Sequence, residues 1–144
     1  PDEAAQKQLA SIFHTDDSAV MKRICELEKQ ALEAGIGKTN TSKKSKEDTS
    51  QLGTTDTKIV KLWKAHDGGC DSCNHTGYKG RIGIYEVLDI TNDIQKQVVS
   101  NATSDALQQQ AIKDGMVTMQ LDGLIKSLRA QTSIEEQLRV TTET

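Results

Sequence analysis

The spacing of Cys70 and Cys73, with GlyGly before it and a turn-rich HTGYKG run after it, constrains this chain more than any other feature. Two thiolates three residues apart can meet one tetrahedral metal when the backbone turns sharply between them. Gly68 and Gly69 make that turn easy. RIGIYEVLDI follows, where β-branched and aromatic residues crowd as strands require. Upstream, IVKLWKA also reads as a strand, with Val60 and Leu62 on one face and Ile59, Lys61 and Trp63 on the other. The expectation is a metal knuckle running into a short β-hairpin.

Helical signals flank this centre. Pro1, Asp2 and Glu3 suit the start of a helix, and Leu9, Ile12 and Phe13 give it one apolar side. In the second helix Val20, Ile24, Leu27 and Ala31 recur at helical spacing. Met21 and Cys25 then fall on the flank of the stripe, Asp16, Asp17 or Ser18 can cap the start, and Gly35 can end it. Residues 36–58 lose all periodicity, and Ser, Thr, Lys, Gly and Asp dominate there. So little apolar surface cannot offset ordering entropy, and a flexible polar loop is expected. After Asp89 four short helices are expected. Thr91 or Asn92, Thr103 or Ser104, Thr118, and a Ser133/Glu136 capping box mark their starts.

The segments therefore divide into two helices over 1–35, a loop over 36–58, a knuckle and hairpin over 59–90, and a helical unit over 91–144. The expected class is α+β, mainly α, with a small antiparallel hairpin sheet at the Cys-x-x-Cys knuckle followed by a compact set of short helices. One Trp, one Phe and two Tyr cannot build an aromatic core, so aliphatic residues at helical spacing must supply the packing. A formal charge of -3 argues against a nucleic-acid or anionic-membrane partner. No apolar run approaches a membrane span or a secretory signal. An odd cysteine count of three suits a reducing compartment.

The run from Cys70-x-x-Cys73 through TGYKGR and IGIYEVL to DGMVTMQLDGLIKSLRAQTSIEEQLRV resembles the C-terminal part of the GspE/PilB family, bacterial cytoplasmic ATPases that power type II secretion and type IV pilus assembly. The resemblance spans about residues 59–140 and also takes in the opening PDEAAQKQL. It implies that the strand at 59–65 pairs with the one at 82–88. It further implies one fragment of a larger hexameric ATPase, which uses ATP and magnesium and sits peripheral to the inner membrane. The implied partners are other subunits of the same ring and the pilus or secretion machinery, with nucleic acid excluded and the membrane touched only through that machinery.

The family's nucleotide-binding motifs lie upstream of the region represented here. Gly37, Lys38 and Thr39 spell the end of a phosphate loop, but that motif needs a glycine five residues before Gly37, where Leu32 stands. This chain by itself is therefore expected to bind no cofactor and to carry no ATPase activity. Many relatives hold zinc between two Cys-x-x-Cys pairs, of which this chain has the second. Cys70 and Cys73 are half of such a site, and His66 and Cys25 are the candidates to complete it. Two free thiols or a disulfide are the alternative. An independent zinc-ribbon-like binding module is the rival reading of the whole chain. A thioredoxin-like role needs the pair at a helix start within a βαβ unit, which these surroundings do not offer. Arg81, Tyr85 and Glu86 match the family's GRxGIYE run, and the resemblance implies a structural contact or a subunit interface for them.

Overall fold

The computed structural model describes residues 1, 3–37 and 52–142. The middle of the loop expected over 36–58 lies outside the described residues, as do Lys38 and Thr39.

Six α-helices run through the described chain: α1 (Glu3–Phe13), α2 (Ser18–Glu33), α3 (Asn92–Val99), α4 (Ser104–Lys113), α5 (Met119–Leu128) and α6 (Ile134–Thr142), with one 3-10 turn at Asp71–Cys73 before α3. Their starts follow from capping chemistry, since an oxygen at the N-cap satisfies an orphan backbone N–H. Asp17 accepts the Ala19 N–H at 2.7 Å, while Thr91, Thr103 and Thr118 accept the Ile94, Ala106 and Leu121 N–H groups. Ser133 Oγ accepts the Glu136 N–H at 3.2 Å. The reciprocal half of that capping box is replaced by an ion pair, because the Glu136 carboxylate turns to Arg139.

The ends share one device. After α2, Gly35 N–H donates to the Leu32 carbonyl and Ile36 N–H to the Ala31 carbonyl, the pair of bonds that closes a Schellman turn. The same two bonds recur after α3, α4 and α5, with Asn101, Gly115 and Ala130 as the left-handed residues.

One core gathers these elements. Leu9 and Phe13 of α1, Met21, Ile24 and Ala31 of α2, Ile59, and Leu124, Ile125 and Leu128 of α5 are all buried together. Ile134 and Leu138 bring α6 against the same cluster. Burying each such side chain stabilises by about 1.5–3 kcal/mol before entropy is counted. Helices α3 and α4 pack on each other, with Ile94 and Ala111 buried. The α2 stripe is rotated from the expected one: Met21, Ile24, Cys25, Glu28 and Ala31 face inward, and Val20 and Leu27 pack at its margin.

The expected hairpin sheet is absent. The described residues contain no strand, only a single antiparallel bridge between Thr54 and Ile59, so the class is all-helical and only the mainly-α part of the expectation stands. Segments 59–65 and 82–88 do not pair with each other, and the main-chain or indole groups of theirs that are bonded go elsewhere. The Val60 and Lys61 N–H groups both go to the Gly53 carbonyl, and the Trp63 indole N–H goes to the Leu128 carbonyl at the end of α5. Tyr85 N–H and the Gly83 carbonyl go to side chains of α5. High strand propensity measures fit to a half-buried pleated surface, and here Val87 is 74% and Tyr85 66% exposed.

Candidate functional site

The cysteine knuckle is a tight loop. The 3-10 turn Asp71–Cys73 is followed by two left-handed residues, Asn74 and His75. Cys73 and His75 N–H both donate to the Cys70 carbonyl, each at 3.0 Å. Gly69 is required by close approach: a Cβ there would sit 2.5 Å from the His75 carbonyl carbon and 2.7 Å from Gly77 N. The two sulfurs lie 3.8 Å apart, which is about the edge of a tetrahedron with Zn–S bonds near 2.3 Å. Half of a thiolate site therefore fits. The rest does not gather: Cys25 is buried in α2, and among the described residues no group of three or more His, Cys, Asp or Glu side chains could hold a metal. His66 offers its carbonyl to Gly69 N–H, and His75 faces the Asp71 carboxylate at 3.3 Å.

Electrostatics distinguishes the two thiols. Cys73 is held down at about 7, foremost by the Cys70 N–H at 3.1 Å, then by the Gly77 N–H at 3.2 Å, the Cys70 thiol and Thr76 N–H, with desolvation opposing. Hydrogen bonds to the charged form favour it.

The second feature is the extended segment from Arg81 to Glu86, which α5 holds from the side. Glu86 accepts the Met119 N–H at 3.0 Å, placing a carboxylate on the positive end of α5. Asp122 accepts the Tyr85 N–H at 2.8 Å. Lys126 donates to the Gly83 carbonyl at 2.8 Å, pairs with Asp122, and lies 4.9 Å from the Tyr85 ring centroid. Arg81 is exposed and bonds to none of the described residues. The three residues singled out in the sequence thus differ in kind: Glu86 caps α5, Tyr85 is held by its main chain with its ring over Gly83 and Lys126, and Arg81 has no partner among the described residues.

Three groups escaped the sequence reading. Glu28, fully buried, accepts the Gly53 N–H at 2.7 Å and the Thr54 hydroxyl. Arg129, also buried, donates to the Ile36 and Gly37 carbonyls. Gly37 is needed for that approach, since a Cβ on it would overlap the Arg129 main chain. Tyr78 and Ser133 share a hydrogen bond at 2.6 Å that ties the knuckle to the start of α6. Glu28 was signalled by its own position, a charge at a core-facing phase of an amphipathic helix; nothing local marked Arg129 or Tyr78.

Residues 17–139 match the family described as type II/IV secretion system protein. The chain is similar to the type II secretion system protein E of Aeromonas hydrophila, 40% identical over 75 residues, covering 52% of this chain and 15% of that protein. It is similar to the type IV pilus assembly ATPase PilB of Pseudomonas aeruginosa, 42% identical over 73 residues, covering 51% and 13%. With PilB of Thermus thermophilus it shares 36% identity over 95 residues, covering 65% and 10%. The chain thus spans a small fraction of the length of these relatives. No solved structure matches it, and no helix among the described residues is long and apolar enough to cross a membrane. The match over residues 17–139 shows that the chain belongs to the type II/IV secretion system protein family.

Proposed function

We propose that this chain is a C-terminal, non-catalytic portion of a traffic ATPase subunit that powers type IV pilus assembly or type II secretion, and that it acts in ring architecture and in transmitting ATP-driven motion. The observation that carries the reading is the way α5 holds segment 81–86. Two contacts from one helix fix its main chain and a third holds the Glu86 carboxylate, while Arg81 is exposed and the Tyr85 ring, lying over Gly83 and Lys126, is still 66% exposed. A segment held in place by one helix that still exposes Arg81 and most of the Tyr85 ring is suited to contact a neighbouring subunit, and interfaces favour Arg and Tyr. ATP, magnesium and the ring itself belong to the whole protein in this reading. In this reading the parent works in the cytoplasm beside the inner membrane.

The test is Arg81→Ala, measured twice. Melting of this chain should be unchanged, because Arg81 bonds to none of the described residues. The ATPase rate or ring assembly of the full-length subunit should fall. Normal turnover and assembly would end the interface reading. A zinc-ribbon-like module is the second reading, favoured by the 3.8 Å separation of the sulfurs. Metal analysis giving about one zinc per chain, lost in Cys73→Ser, would support it.

A further inference from the structure

A cleft of about 830 Å³ opens between the knuckle and the turn that joins α5 to α6. Its lining charges are lopsided. Lys64, Lys79, Arg81 and Arg139 line it against one carboxylate, Glu136, in a chain whose formal charge is -3. Glu136 is already neutralised by Arg139, which reaches both carboxylate oxygens at 2.8 and 2.9 Å. Lys64 holds Asp67 on the outside of the knuckle. Lys79 and Arg81 are exposed and have no partner among the described residues. The cleft therefore keeps two unneutralised cations at one wall.

Trp63, Ala65, Ile82, Ile84 and Val140 give the cleft an apolar part, beside the uncharged polar side chains of Gln131, Thr132 and Gln137. Trp63 is 42% exposed with its indole N–H fixed on the Leu128 carbonyl, so its ring is a rigid surface. The main chain beside the cations is also open: from Lys79 to Ile84 no N–H group bonds to a described residue. Cations, apolar side chains and a backbone whose N–H groups are open together match an extended peptide, which brings main-chain partners as well as side chains. A nucleic acid would want a longer basic track and several free aromatic platforms; the cleft has Trp63 and Tyr78, and the Tyr78 hydroxyl is tied to Ser133.

We propose that this cleft is a docking site for an extended acidic segment of a partner protein, in which carboxylates alternate with apolar side chains. The carboxylates meet Lys79 and Arg81, the apolar side chains lie on Trp63 and Ile84, and the main chain pairs with residues 81–84. The site shares Arg81 with the proposed subunit contact but rests on the charge and shape of the cleft, and it is tested on the 144-residue chain alone, so it stands or falls separately from the ring reading.

Trp63 is the only tryptophan of the chain, so its emission reads occupancy directly. The experiment titrates the 144-residue chain with a short peptide alternating Glu and Val, and separately with a Gln–Val peptide, inorganic phosphate and a single-stranded oligonucleotide. The expected result is a saturable Trp63 response to the Glu–Val peptide that weakens as salt rises. It should fall about tenfold or more in Lys79→Glu/Arg81→Glu, as removal of opposed charges at an interface does. Circular dichroism of the double variant checks its fold, and if it fails to fold, the salt dependence and the Glu–Val against Gln–Val comparison decide instead. Equal response to both peptides, an unchanged response in the folded double variant, or preference for the oligonucleotide or phosphate would overturn the proposal.

Discussion

Glu28 of α2 accepts the Gly53 N–H at 2.7 Å, joining residues 25 apart in sequence through a carboxylate with no exposed surface. The same side chain takes the Thr54 hydroxyl through its other oxygen. Both carboxylate oxygens are thus satisfied by residues 53 and 54. Beside this contact, Ile59 and Leu128 are buried to within 1%.

Removing that carboxylate should be costly. Glu28→Ala leaves a buried N–H and hydroxyl without their acceptor and opens a cavity, and each unsatisfied group costs about 1–3 kcal/mol. A loss of about 3 kcal/mol is expected in urea melts, with Glu28→Gln losing less because one acceptor oxygen remains. A Glu28→Ala chain within 1 kcal/mol of the parent, on the scale of an ordinary surface change, would show that the 52–54 segment is not held from α2.

Ala130 offers a change of opposite sign. It occupies the left-handed position that closes α5, at φ 59°, where a Cβ costs about 1–2 kcal/mol. Asn or Gly takes the equivalent position after α2, α3 and α4. Ala130→Gly should therefore raise stability by about 1 kcal/mol, offset slightly by the added freedom of the unfolded chain. Unchanged or lower melting would mean that the Ala130 methyl makes contacts worth as much as the strain.

The helices were legible because capping and periodicity are local signals: Thr118 and Ser133 cap where the sequence places them, and of the pairs it left open Thr91 and Thr103 are the caps. The phase of α2 was not, because Glu28 looks polar in sequence and pulls the apparent stripe toward Val20 and Leu27. The sheet was misread for a different reason. Alternation and β-branching at 82–88 declare an extended segment, and extended it is, but whether a strand acquires a neighbour depends on groups distant in sequence. Asp122 and Lys126 supply side-chain partners from α5, and no pattern within RIGIYEVL records them. At the site, the Cys70–Cys73 turn was legible from glycines and spacing alone. Tyr78–Ser133 and Arg129–Gly37 are long-range contacts of the folded chain.

The Glu86 cap separates anchoring from exposure. Its carboxylate bonds the first N–H of α5, so Glu86→Ala should lower stability by about 1 kcal/mol, the usual worth of a lost cap. Tyr85→Ala removes a largely exposed ring while its N–H still reaches Asp122. It should change melting by less than about 0.5 kcal/mol, as exposed substitutions do. Equal losses from the two changes, read by thermal unfolding, would mean that the Tyr85 ring is itself part of the packing against Lys126.

The thiols give a prediction with a sign in pH. Cys73 is lowered to about 7 from an ordinary 9.0, so the folded chain holds the thiolate where the unfolded chain still holds the thiol. A depressed acid contributes stability that is fully present above pH 9 and is lost as pH falls through about 7. The reactivity of metal-free protein should follow the same curve, because only the thiolate attacks an alkylating agent. Cys73 should reach half its maximal alkylation rate near pH 7, while buried Cys25 stays inert. Since the leading cause is the Cys70 main-chain N–H rather than its thiol, Cys70→Ser should preserve most of the lowering. That variant also leaves Cys73 as the only accessible thiol, so its rate can be read by mass spectrometry without ambiguity. A midpoint that returns to the ordinary cysteine range in Cys70→Ser would assign the effect to the sulfur–sulfur contact, and the knuckle's backbone would lose its part in holding the charge.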